Sequence, residues 1–342
     1  MKKMILTKKR LTVLFSLLLS FSVTLSVFFY LWRWEDESTQ ALSGDKDGIT
    51  VLLAGVDEEG YHTDMMMLCH VSPQAETVKM IQIPRDTYYR TPNGEGKINR
   101  IYSGYASKYG TKDAADKFCG AMSDAFGISL DGYVVFDTHV VSDLVDLLGG
   151  VRVTLPTDVP YYSEQTGKNA VIPAGERSLT GEQAAAFVRH RKSYAEGDLG
   201  RLDAQMRFLS GMCEALPKLK KFDQYLGIYQ KILPNLLTNL GEKDIINLLM
   251  AYWKRAGEPA LSMMRLPGEP LCYDGVWYYL LHRDATERML SEQLALAGYR
   301  FDAQKRFTCE EKTALRNAYN DPDTRYRVLT PKEAAAIKIT QR

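Results

Sequence analysis

ITVLLAGVD (49–57) is the run that decides the fold. It is almost wholly apolar, shows no alternation, and closes on Asp57. A continuous apolar run of that length, ended by a turn residue, suits a strand buried on both faces of a sheet. MMMLCHVS (65–72) and TVKMIQIP (77–84) follow as two more strands, joined by a short polar turn at 73–76. Helical periodicity comes next in KDAADKFCGAMSDAFG (112–127), with Gly127 as its stop. YVVFD (133–137) predicts a strand, Thr138 a cap for the helix in HVVSDLVDLLGG, and VRVTLP (151–156) a returning strand. Thr180 and Gln183 have capping-box spacing at the head of TGEQAAAF. Strands alternating with helices give an α/β fold, a three-layer αβα sandwich around a central mixed β-sheet.

Outward from this core, the chain begins with a basic stretch, 1–10, holding Lys2, Lys3, Lys8, Lys9 and Arg10. An uncharged run, LTVLFSLLLSFSVTLSVFFYLW (11–32), follows. At about 1.5 Å per residue it spans a hydrocarbon core of roughly 30 Å. Tyr30, Trp32 and Trp34 stand where a headgroup-level aromatic belt is expected. No small-x-small cleavage site follows, so the run reads as one N-terminal transmembrane helix that stays attached. The basic flank places the N-terminus in the cytoplasm and the rest of this single-pass cell-membrane protein outside. Residues 33–48 are a polar linker, 49–295 the extracellular domain, and 296–342 an extension with helical patterns at 309–321 and 330–339.

The 342 residues are 45% hydrophobic and 25% charged, enough to bury a sizeable core. A net charge of +1 lacks the basic field of a nucleic-acid binder, so anion binding must come from a local cluster. The five cysteines have no C-x-x-C spacing, which argues against zinc or thioredoxin-type chemistry; a Cys272–Cys309 bridge is left open.

The strongest local cluster is FVRHRKSYAEGDLGRLDAQ (187–205). In an extended segment Arg189 and Arg191 point to one side; on a helix Asp198, Arg201 and Gln205 share one face. Cations converging in this way need an anion among them, and guanidinium forks match diphosphate oxygens. A solvated basic helix with its own ion pairs would show the same local pattern. Asp57 ends the first strand, where sites of open α/β sheets lie, and Asp64 opens the second. With phosphate oxygens, the two carboxylates make a plausible magnesium site, although turn aspartates look alike. IPRDT (83–87) adds Arg85 and Asp86 just after a strand, and KIN (97–99) adds Lys97 in a glycine-bearing loop.

The order G-V-D, H-T-D-M-M-M, I-P-R-D-T, K-I-N, L-L-G-G-V, L-T-G-E-Q-A-A-A-F-V-R-H-R and D-x-x-R-x-x-x-Q resembles the LytR-CpsA-Psr family over residues 49–210. The likeness continues more loosely to 279. It implies a magnesium-dependent phosphotransferase that moves a glycopolymer, of teichoic acid or capsular polysaccharide type. The donor would be an undecaprenyl-pyrophosphate carrier and the acceptor peptidoglycan. It further implies that Asp57 and Asp64 bind the metal. Arg85, Arg189, Arg191 and Arg201 would hold the pyrophosphate, with Asp198 and Gln205 completing the pocket and Lys97 near it. The family pattern carries an arginine where this chain has His62, which removes one charge from the diphosphate. Asp86 and Asp198 are both candidates for the base that takes the acceptor proton. A regulatory polyprenyl-phosphate binder without turnover, and a hydrolase of the pyrophosphate lipid, would use the same site. Val140, Leu144 and Leu148, at helical spacing, read as core rather than lipid lining.

Overall fold

A computed structural model describes residues 48–341, apart from 58–59, 61, 73–76, 92–93, 217–220, 247–259 and 297–323. The span at 11–32 and the helix expected at 309–321 lie outside the described residues. Among those described, no helix is long and apolar enough to cross a membrane.

The apolar opening run forms β1 (Ile49–Val56), which pairs antiparallel with β2 (Thr63–Ser72), itself antiparallel to β3 (Thr77–Gln82). A hairpin, β4 (Tyr88–Thr91) and β5 (Gly94–Lys97), leads into helices α1 (Arg100–Tyr109) and α2 (Thr111–Phe126). Gly127 ends α2 in the left-handed region, φ 62°, which glycine adopts without a Cβ penalty. Strand β6 (Gly132–Phe136) then runs parallel to β1 and precedes α3 (Thr138–Leu147). The α3 cap is Asp137, not Thr138: the Asp137 carboxylate accepts from the His139 and Val140 amides at 2.9 and 3.1 Å. An anionic cap suits the positive end of the helix, and Thr138 becomes its first residue.

Strands β7 (Val151–Leu155), β8 (Val159–Ser163), β9 (Lys168–Ile172) and β10 (Gly175–Leu179) form two ribbons, β7 with β10 and β8 with β9. VRVTLP is thus a strand outside the central sheet. Helix α4 (Gly181–Arg189) opens with the Thr180–Gln183 capping box, and α5 (Asp198–Ala215) follows after a loop. Then come α6 (Phe222–Ile232), β11 (Leu237–Thr238), β12 (Ala260–Arg265), the hairpin β13 (Gly268–Tyr273) and β14 (Val276–Leu281), α7 (Arg283–Leu296) and α8 (Pro331–Ala335).

The central sheet has the order β11-β6-β1-β2-β3-β12; β1 with β6 and β3 with β12 are parallel and the other pairs antiparallel, so it is mixed. One face presents Leu52, Ala54, Met66, Leu68, Ile81 and Met264 to α2 and α7. The other presents Met80, Leu261 and Met263 to Met206 and Leu209 of α5 and Ala334 of α8. Adjacent Met263 and Met264 pointing to opposite cores is the period-2 signature of a strand covered on both sides. A second core joins α3, α4, α5 and the ribbons around Val151, Phe187, Tyr194 and Phe208. Val140, Leu144 and Leu148 are buried or partly buried within the protein, and Leu144 and Leu148 pack on this second core. Among the described residues, no disulfide joins Cys69, Cys119, Cys213 or Cys272.

Candidate functional site

The candidate site is a cleft beyond the carboxyl end of β1. Asp57, Asp64, Arg189, Arg201 and Gln205 line its polar side, and Val56, Met65, Phe136, Val141 and Val188 its apolar side. Asp57 sits where β1 gives way to the turn toward β2; its amide donates to the His62 carbonyl at 2.9 Å. Its carboxylate accepts from the His62 amide at 3.2 Å and lies 3.1 Å from His62 Nδ1. The residue standing in the family's arginine position therefore still meets an aspartate, as an imidazole.

Arg85 is placed by a loop tied down on two sides. Asn99 N donates to the Arg85 carbonyl at 3.3 Å, and Tyr279 N donates to the Asp86 carbonyl at 2.8 Å. Thr87 Oγ1 closes the turn on the Pro84 carbonyl at 2.6 Å. These bonds turn the Arg85 guanidinium onto two carboxylates: Nη1 lies 2.5 Å from Asp64 Oδ1, and Nε 3.3 Å from Asp198 Oδ1. Arg201, one turn into α5, completes the ring. Its Nη2 lies 2.7 Å from Asp198 Oδ1, and its Nη1 3.5 Å from Asp64 Oδ2. Asp86 and Lys97 form the outer rim, 3.0 Å apart, with Asp86 3.8 Å from Arg85 Nε.

Burial sets the electrostatics. Desolvation lowers the pKa of Arg201; Asp198 and Asp64 oppose it, while Arg85 and Arg191 push the same way. The same desolvation acts on Arg85, but Asp198, Asp64 and Asp86 outweigh it and its pKa rises. Arg201 is 2% exposed, and its Nε is buried with no hydrogen-bond partner among the described residues. A buried guanidinium N–H left without an acceptor is costly unless a ligand supplies one.

An extended segment would have sent Arg189 and Arg191 to one side. Instead Arg189 is the last residue of α4, His190 takes extended backbone angles, and Arg191 enters a loop of turns. Burial of Phe187 and Val188 in the second core carries the helix through Arg189. Arg189 nonetheless lines the cleft, and Arg191 stays within electrostatic reach of Arg201. Asp198, Arg201 and Gln205 do share one helix, α5. Gln205 lines the cleft, yet its amide is engaged in the frame: Nε2 donates to the Val188 carbonyl at 3.1 Å, and Oε1 accepts from Gln82 Nε2 at 3.2 Å. Gln82 also donates to the Leu202 carbonyl at 3.1 Å, tying β3 to the first turns of α5. Sequence reasoning overlooked Gln82; its only signal was an amide inside the apolar run TVKMIQIP. It also missed Val141, which lines the cleft beside its core neighbour Val140.

Asp57 and Asp64 offer hard oxygen ligands in one cleft, and among the described residues no group of three or more His, Cys, Asp or Glu could cage an ion. Carboxylate oxygens are the donor type that magnesium takes alongside waters and substrate phosphates.

The sequence pattern of the LytR_cpsA_psr family matches residues 33–295. The polyisoprenyl-teichoic acid–peptidoglycan teichoic acid transferase TagU of Oceanobacillus iheyensis is 28% identical over 253 residues, 72% of this chain and 76% of that protein. A solved structure of TagT bound to LIIa-WTA is similar at TM-score 0.56 and 28% identity, covering 74% of this chain and 92% of that one. The Streptococcus agalactiae protein gbs0355 shares the fold, with TM-score 0.65 and 23% identity over 79% of this chain and 95% of that one. A matched stretch running from the linker through α7, and holding every residue of the arginine–aspartate ring, makes this chain a member of the LytR_cpsA_psr family.

Proposed function

We propose that the protein transfers a teichoic-acid-type glycopolymer, with its phosphate, from a polyprenyl-pyrophosphate carrier to peptidoglycan. The observation that carries this reading is the closed ring of Arg85 and Arg201 around Asp64 and Asp198, opening on a cleft with Arg189 and Asp57. Two arginines already turned toward one point present forks to a diphosphate with little reorganisation. The aspartates hold the guanidinium groups in place until phosphate oxygens replace them.

The acceptor hydroxyl oxygen attacks the phosphorus joined to the sugar, the bond from that phosphorus to the bridging oxygen breaks, and polyprenyl phosphate leaves with the electron pair. Asp198 is pinned between two arginines, so it acts as their counter-ion. Asp86, on the rim with Lys97, is the carboxylate we assign to receive the hydroxyl proton. Charge gathers on the phosphate oxygens and the leaving group, where Arg85, Arg189, Arg191 and Arg201 stabilise it. Magnesium, held by Asp57 and Asp64, would neutralise part of the diphosphate charge.

The apolar wall of Val56, Met65, Phe136, Val141 and Val188 is the surface we assign to the lipid end of the donor. The uncharged run at 11–32 supports anchoring in the cell membrane with the domain outside, beside its lipid-linked donor. The test is transfer from a polyprenyl-pyrophosphate glycan to peptidoglycan fragments, with and without magnesium. Release of free phosphorylated glycan irrespective of acceptor would mark a hydrolase, and binding without turnover a carrier protein.

A further inference from the structure

The segment Thr324–Gln341 lies beyond the family-matched residues, yet it ends against the loop that carries Arg191. Leu329 adds itself to the edge strand β12, exchanging backbone hydrogen bonds with Met263 at 2.7 and 2.8 Å. Helix α8, closed by the Thr330–Glu333 capping box, packs on α5, where Ser210 Oγ donates to the Pro331 carbonyl at 2.6 Å. Arg207 of α5 donates from Nε to the Ile337 carbonyl at 3.1 Å, and Ile339 enters the second core with Tyr194, Phe187 and Val188. The segment then reaches the loop itself. Ala195 N donates to the Thr340 carbonyl at 2.9 Å, and Tyr194 bridges antiparallel to Gln341.

Among the described residues, that loop, His190–Gly197, otherwise shows local backbone bonds only. Tyr194 N donates to the Arg191 carbonyl at 3.2 Å and Gly197 N to the Tyr194 carbonyl at 3.1 Å. Tyr194 fills the space over the first turn of α5 so closely that a Cβ on Gly200 would stand 2.6 Å from its own Cβ. His190 stacks edge-on against the Tyr194 ring at 5.3 Å. Position of the loop, and with it Arg191 and the start of the helix bearing Asp198 and Arg201, therefore depends on what holds Tyr194 and Ala195.

We propose that Thr324–Gln341 is a positioning strap for the pyrophosphate site, with Ile339 and the Thr340 carbonyl fixing the loop that carries Arg191 and leads into the helix of Asp198 and Arg201. This rests on the diphosphate reading above. The strap touches no reacting group; it removes the freedom of a loop whose cation must otherwise be ordered when the ligand binds, a cost paid out of affinity.

The test uses the full chain carrying Ile339→Ser, with Ile339→Val as the conservative partner. Hydrogen exchange along residues 191–200 is read together with calorimetric binding of inorganic pyrophosphate in magnesium. In Ile339→Ser, exchange of the loop should quicken and pyrophosphate affinity fall, each by about tenfold, while the amides of β1–β3 keep their protection. Ile339→Val should restore both. Unchanged loop exchange, or a quickened loop with undiminished affinity, overturns the proposal. Loss of protection throughout the sheet also overturns it, because the segment would then be a general stabiliser. Should the unaltered chain fail to bind pyrophosphate, the diphosphate reading falls, and loop exchange alone still decides whether the segment straps the loop.

Discussion

Arg201 and Arg207 occupy one helix six residues apart, and burial lowers the pKa of both, yet they spend their N–H groups differently. Arg207 donates to fixed acceptors, the Ile337 carbonyl from Nε at 3.1 Å and the Thr154 carbonyl from Nη1 at 2.9 Å. Arg201 meets two carboxylates, Asp64 and Asp198, and keeps its Nε without a hydrogen-bond partner among the described residues. Backbone carbonyls cannot leave, whereas aspartates can yield to phosphate oxygens. Arg207 is part of the frame; Arg201 is poised for a ligand.

The sharpest way to break this contrast is to remove each side chain. Arg201→Ala should lower polymer transfer by about 10²–10³-fold, the usual loss when a preorganised transition-state donor is deleted. A transfer rate within a few-fold of normal would remove Arg201 from the site. Arg207→Ala should instead lose about 2 kcal/mol of stability in denaturant unfolding, since charged donors to the Ile337 and Thr154 carbonyls are removed. Its effect on transfer should stay well below that of Arg201→Ala, and equal losses would erase the distinction. A smaller change sharpens the site side. His62→Arg restores a fixed charge beside Asp57, and should tighten pyrophosphate binding by about two- to fivefold at low salt, with the gain fading as salt rises.

The smallest effect concerns pH at the junction of the two regions. Burial first, and Lys192 second, hold His190 below its ordinary 6.5. The folded chain therefore binds this proton less readily than the unfolded chain. Stability contributed by neutral His190 is full above 6.5 and is lost as pH falls through the depressed folded value. Unfolding curves of His190→Asn should show a shallower decline below pH 6.5 than those of the natural chain. An identical slope would mean His190 titrates as it does in the unfolded state.

Much of this architecture was legible in the residues, because period and punctuation are local properties. The run 49–57, the Gly127 stop and the Thr180–Gln183 box all act within a few residues of themselves, and each stands where the pattern put it. Where two neighbours competed, pattern alone misled: Asp137 displaced Thr138 as cap, since a carboxylate suits a helix N-terminus better than a hydroxyl. The extended reading of Arg189–Arg191 failed for a tertiary reason, the burial of Phe187 and Val188 that prolongs α4. Gln82 went unseen because an amide inside a strand announces nothing until Leu202 and Gln205 come to meet it.

By itself, the sequence determined the opening strands, the strand at 133–137 and the helices that begin the second half of the fold, and it named the charged residues that a diphosphate site would need. Only the tertiary structure decided that Arg85, drawn from a loop after β3, and Arg201, drawn from a helix more than a hundred residues later, close around the same two aspartates. Propensity and capping are settled between near neighbours, whereas the pairing of distant charges exists only once the sheet and helix cores have packed them together.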